Sequence, residues 1–159
     1  MSVSSVRFRF RQSFRVPAAA AYEWCTDFRP GDARFFDVKW RREVRRVAED
    51  AIILTETTWP EGRTRVIQRL VRLNPQALAW TNTHILGPFR HSQYWYRIVP
   101  DGARRSHLEF TGMRLVRTAR PLTVAEKTRL AEQERRSDSA LWRRIAPALE
   151  REVGSQSPH

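Results

Sequence analysis

The sequence predicts an α+β domain in which a curved antiparallel sheet of seven strands wraps around a long C-terminal helix, with one or two short helices between strands 1 and 2. Three observations predict it. Residues Val6 to Val16 alternate apolar and polar side chains, a run of β-rich segments separated by turn residues follows from Val38, and from Val124 the apolar spacing changes to one near four.

The first strand is the clearest. Val6, Phe8, Phe10, Phe14 and Val16 share one face, while Arg7, Arg9, Arg11 and Arg15 occupy the other, the pattern of a sheet with one face buried and one in water. Pro17 suits the first turn of a helix, and Ala18 to Asp27 favours helix up to the break at Arg29-Pro30-Gly31. A second short helical turn is expected around Asp32 to Phe36. Strands then follow over Val38 to Val47, Ile52 to Trp59, Arg63 to Leu73, Ala77 to Ile85, Arg90 to Val99 and Arg104 to Val116. Their separators, Glu49-Asp50, Pro60-Glu61-Gly62, Asn74-Pro75, Gly87-Pro88 and Pro100-Asp101-Gly102, carry the chemistry of tight turns.

The final element opens with Thr123 and Glu126 at the spacing of a capping box. Leu130, Leu141, Ile145, Leu149 and Val153 form one apolar stripe, Gly154 is placed to end the helix, and Pro147 should kink its second half. Residues 1–154 read as a single domain, with 155–159 a disordered tail. A strongly twisted sheet cannot be filled beneath by one helix unless large side chains project inward, so a residual internal cavity is expected.

With 159 residues, six Trp, three Tyr and eight Phe, the chain has the material for one substantial core. No stretch approaches the roughly 20 apolar residues of a membrane span, and the N-terminus enters Arg7, Arg9 and Arg11 without the apolar core of a signal peptide, so a soluble, cytoplasmic protein is expected. The single cysteine, Cys25, excludes an internal disulfide and reads as an inert buried thiol. The formal charge of +12 is carried by arginine and lies almost wholly ahead of the final helix, which is nearly neutral.

The run Phe14-Arg15-Val16-Pro17 through Ala18-Ala19-Ala20-Ala21 to Tyr22-Glu23-Trp24-Cys25-Thr26-Asp27 resembles the opening of the START-like (SRPBCC) superfamily. There a strand ends in an apolar residue, small residues start a helix with an aromatic at its centre, and Asp follows. The hairpins and the kinked final helix match as well, so the likeness spans nearly the whole chain. It implies a helix-grip fold with an internal cavity for hydrophobic or amphipathic molecules, and relatives that include polyketide cyclases and aromatases, lipid-transfer domains and coenzyme Q-binding proteins.

Candidate ligand-binding residues are those that the strand parity and the helix stripe turn inward. Leu78, Trp80, Asn82 and His84 share a face, as do Tyr94 and Tyr96, and Leu108 and Phe110, with Leu141, Ile145 and Leu149 closing the space. Simple core filling is the alternative for each. The parity that buries Val38, Trp40 and Val44 also turns Arg42 and Arg46 inward, where each would need a carboxylate; an edge bulge would remove that need. Glu56 and Glu109 are strand carboxylates that surface pairs or an internal arginine would occupy. The histidines His84, His91 and His107 fit no zinc spacing, and neither a phosphate-binding loop nor a nucleophile elbow is present, so no metal and no cofactor is expected.

Three functions follow as expectations. The first is binding or transport of a lipid, quinone or polyketide-like molecule. The second is a cyclase or aromatase in which Tyr or His moves protons. The third uses a convex basic face to bind RNA, a ribosome or an anionic membrane, with Arg7, Arg9, Arg11 and Arg15 continuing across Arg41, Arg45, Arg63, Arg65 and Arg69.

Overall fold

The structure, a computed structural model, describes residues 1–36 and 39–156. Val38, expected to open the second strand, and the tail from Ser157 onward lie outside the described residues.

The chain runs through β1 (Ser2–Phe14), α1 (Ala18–Cys25), a 3-10 helix at Pro30–Phe35, β2 (Trp40–Ala48), β3 (Ala51–Thr58), β4 (Arg65–Asn74), β5 (Ala79–Leu86), β6 (Gln93–Pro100), β7 (Ser106–Thr118) and α2 (Val124–Gln156). The seven strands form one antiparallel sheet in the order β1-β7-β6-β5-β4-β3-β2. Consecutive hairpins build all of it except β1, which joins the far side of β7 with Phe10 opposite Phe110. This is the expected α+β architecture.

Period two in β1 does what it predicts: Val6, Phe8 and Phe14 are buried, and Arg7, Arg9 and Arg11 are exposed. Gly112 lies opposite Phe8, and the ring occupies the space a side chain there would need, since a Cβ would sit 2.5 Å from its Cζ. The helix α2 covers the inner face. Its capping box forms as expected, with Thr123 N donating to Glu126 Oε2 (2.8 Å) and Glu126 N donating to Thr123 Oγ1 (3.2 Å). Ile145 and Leu149 are buried in the sheet's concavity, Leu141 is half-buried, and Pro147 is accommodated on the exposed side of the helix.

Four expectations need correction. Gly154 does not end α2; it lies inside the helix, which runs on to Gln156. Val44 is exposed although its parity is inward, because β2 is an edge strand. Arg46 instead follows the edge-bulge alternative: it is exposed at the register shift between Arg46 and Ala48, and donates to the backbone oxygen of Glu49. The expected basic face is not continuous: β1 and β2 are opposite edges, Arg65 and Arg69 fall on the inward parity with Val71, and Glu109, Trp95 and Thr81 lie between. Arg15 is not part of a free row either, since its backbone N and guanidinium donate to Glu150 on α2.

Candidate functional site

Hydrogen-bond register places the inward side chains of neighbouring strands in rows. Trp80 is opposite Tyr96, which is opposite Phe110; Asn82 is opposite Tyr94; and Arg69 is opposite His84. The rings of Trp80 and Tyr96 stack with centroids 4.7 Å apart and planes 4° from parallel, giving a flat aromatic wall. Beneath α2, this wall borders a pocket of about 130 Å³.

Trp80, Asn82, Tyr96, Leu141 and Ile145, all named from the sequence, line that pocket. The other named residues do not. Leu108, Phe110 and Leu149 are buried in the core, and Leu78 packs against it from a left-handed conformation (φ 49°) just ahead of β5. His84 and Tyr94 lie further along the same face, their rings in contact at 5.4 Å.

The rest of the lining comes from Arg42, which its strand parity turns inward, and from residues that sequence reasoning does not place there: Trp24, Cys25, Phe28, Asp32, Phe35 and Phe36 from α1 and the 3-10 segment, Arg69 from the sheet, and Trp142 from α2. Glu152 near the end of α2 ties the 3-10 segment to the helix. Its carboxylate accepts from Trp24 Nε1 (2.7 Å), Arg29 Nη2 (2.8 Å) and Arg34 Nη2.

Arg42 does turn inward, and Glu56 meets it. Glu56 Oε1 accepts from Arg42 Nε (3.0 Å), Arg42 Nη2 (2.7 Å) and Arg69 Nη2, while Arg42 Nη1 donates to Asp32 Oδ2 (3.0 Å). The side chains of Arg42 and Glu56 are only 6% and 8% exposed. Stacking of the Arg42 guanidinium on Trp40, 4.1 Å from the ring centroid, completes its enclosure. Two arginines and two carboxylates make the group neutral as a whole. Glu109, by contrast, is on the outer face with Arg11 and His107.

Several buried polar atoms have no hydrogen-bond partner among the described residues: Arg69 Nε, Asn82 Oδ1, His84 Nδ1 and Tyr22 Oη. Such atoms cost free energy unless something else satisfies them. Arg69 and Asn82 both reach the pocket.

Burial, with Arg69 and Arg114 nearby, pushes the His84 pKa down to about 4, so its imidazole is neutral at pH 7. Burial pushes Tyr94 up to about 12 and raises Tyr96 and the Cys25 thiol further, keeping all three protonated. Asp138, one turn before Leu141 and Trp142 on α2, is raised to about 7 by burial and by Glu134, against the opposing pull of Arg114. Half-buried on α2, it is a group whose charge changes near neutral pH. Because the folded state holds this proton more tightly than the unfolded chain, stability falls as pH rises from about 4 to about 7. Asp138→Asn is therefore expected to unfold at a higher temperature than the wild type above pH 7, with the advantage vanishing towards pH 4 in thermal melts across that range. An advantage independent of pH would contradict the assignment.

Among the described residues, no group of three His, Cys, Asp or Glu side chains is arranged to hold a metal ion, and no helix is long and apolar enough to cross a membrane.

No protein-family model matches the chain, and no curated protein matches it. Solved structures do. The Zhui aromatase/cyclase from a Streptomyces species superimposes with a TM-score of 0.74 at 18% identity, over 94% of this chain and 96% of that one. Norcoclaurine synthase from Thalictrum flavum, in complex with dopamine and hydroxybenzaldehyde, gives 0.69 at 12% identity, over 99% and 91%. A START superfamily protein from Mycobacterium smegmatis gives 0.65 at 14% identity, over 96% and 99%. The chain has the START-like helix-grip fold that these proteins share.

Proposed function

We propose that the space between the sheet and α2 binds a compact, neutral, hydroxylated aromatic molecule. The observation that carries the reading is the pair of unpartnered atoms at an aromatic-walled pocket, Arg69 Nε and Asn82 Oδ1. A hydroxyl group can accept from the first and donate to the second. A carboxylate can only accept, and it would meet an arginine cluster that Glu56 and Asp32 already neutralise. Size narrows the class: about 130 Å³ suits one ring, as an apolar cavity of roughly 150 Å³ takes a benzene, whereas a lipid acyl chain requires the side chains of α2 and the 3-10 segment to move. The fold shared with norcoclaurine synthase, whose structure holds dopamine and hydroxybenzaldehyde, supports a phenolic ligand.

Trp24, Trp80 and Trp142 line the pocket, so their fluorescence reports occupancy. Titration with 4-ethylphenol, ethylbenzene and 4-ethylbenzoate is expected to quench most tightly with the phenol. Asn82→Leu should cost the phenol about tenfold in Kd and leave ethylbenzene unaffected. Equal quenching by all three compounds would reject the reading.

A second reading, proton-transfer catalysis of the cyclase type, draws on Asp138. A carboxyl group that titrates near pH 7 beside Tyr94 and Tyr96 has the pKa of an effective general acid or base. If a substrate is turned over, the rate should follow an ionisation near pH 7 that Asp138→Asn abolishes.

A further inference from the structure

Five of the eleven exposed large apolar side chains among the described residues are gathered in one place. Phe36, Trp59, Val66, Ile85 and Leu86 lie at one end of the sheet, where β2 begins, β3 turns into β4, and β5 ends. The register brings them together. Trp40, in ring contact with Phe36, is opposite Thr58, the neighbour of Trp59; Val66 is opposite Thr57; and Leu86 is opposite Gln68, two residues on from Val66. A bulge there skips Ile85 in the pairing and leaves both Ile85 and Leu86 exposed.

Cations are set among them. Lys39 Nζ is 6.0 Å from the centre of the Trp59 ring, Arg41 is opposite Thr57, Arg63 and Arg65 follow the turn at Pro60–Gly62, and Arg90 is in the turn after β5. Among the described residues none of these five forms an ion pair with a carboxylate. Of the carboxylates at this end, Glu56 and Asp32 are engaged by Arg42 and Arg69, which leaves Glu43 and Glu61 to set against the five cations.

We infer that this end of the sheet docks on an anionic phospholipid surface. Bulky side chains projecting singly between lysine and arginine match the headgroup region of a bilayer, which accepts Trp and aliphatic tips while its negative potential holds the cations. A second copy of the chain would set these cations against one another. Three of the five apolar side chains, Val66, Ile85 and Leu86, give a nucleic acid no ring on which to stack a base. Phe36 also lines the pocket, so a docked molecule would present one pocket wall to the lipid. The surface itself does not depend on what the pocket binds.

Sedimentation with vesicles tests this. The protein should pellet with phosphatidylglycerol/phosphatidylcholine vesicles at low salt and be released as salt is raised, with little binding to phosphatidylcholine alone. Trp59→Ala combined with Arg63→Glu should weaken binding at least about tenfold, given roughly fivefold per basic residue at such a surface. Arg7→Glu with Arg9→Glu, which changes net charge more but lies on the opposite edge, should weaken it less. All variants sit at exposed positions, and circular dichroism should show them folded. Absence of binding to the anionic vesicles, equal binding to phosphatidylcholine alone, or a larger loss in the Arg7/Arg9 variant would overturn the inference. So would an RNA complex or a dimer that depends on Trp59 and Arg63 without vesicle binding.

Discussion

Replacing Glu56 with Gln is expected to destabilise the protein by about 3–5 kcal/mol, the usual consequence of removing one partner from a buried ion pair. The reason is local. Arg42 and Arg69 both rely on Glu56 Oε1, and in its absence two guanidinium groups face each other across the inner sheet with only Asp32 to offset them. Burial already lowers the Arg42 pKa, against the pull of Glu56 and then alongside repulsion from Arg69, so loss of the carboxylate takes away the strongest attraction holding that buried charge in place. Gln keeps the volume, which separates charge from packing. Urea denaturation gives the comparison, and a loss below about 1 kcal/mol would show that water or motion relieves the cluster. Converting the whole group at once, with Arg42→Met, Glu56→Leu, Arg69→Met and Asp32→Asn, should recover most of the stability, because no charge is then left unpaired.

Leu149→Ala is the second large effect. Leu149 is fully buried and belongs to the core cluster in which α2 meets the sheet, with Phe14, Ile98 and Leu108. Truncation there removes contacts that the rigid sheet cannot close over, and about 2–5 kcal/mol is expected. Leu141→Ala, two apolar stripe positions earlier and lining the pocket, leaves a space that is already partly open and should cost less. Denaturation of the two variants side by side tests the distinction between the part of α2 that clamps and the part that roofs. Equal losses would mean that α2 is gripped uniformly along its length.

The fold is legible in the sequence because its strongest elements announce themselves locally. β1 alternates apolar and basic residues from Val6 to Arg11, Thr123 and Glu126 cap a helix, and the turn residues punctuate every hairpin. One wall of the pocket is legible for the same reason: Trp80 and Asn82 share a parity, and Tyr96 follows on the next strand. What escapes is whatever depends on distant contacts. Trp24, Phe28 and Phe35 reach the pocket because Glu152, more than a hundred residues later, pulls their segment against α2. Pattern alone puts Arg69 on the wrong face because β4 carries apolar residues on both parities, Val66 and Leu70 on one and Ile67 and Val71 on the other, so alternation does not decide its orientation. Parity turns Arg42 inward correctly, but only cross-strand register reveals Glu56 as its partner.

The position of β1 has a consequence for how the chain reaches this state. From β2 to β7 every pairing is between neighbours in sequence, and each can close as soon as its turn is made. β1 alone must wait, since Phe10 has no partner until Phe110 exists and α2 has not yet been synthesised when β7 emerges from the ribosome. Closing so long a loop is entropically slow. During synthesis the most regularly amphipathic segment of the protein is therefore the one left longest unpaired, and its alternating arginines keep it from pairing with another nascent chain in the meantime.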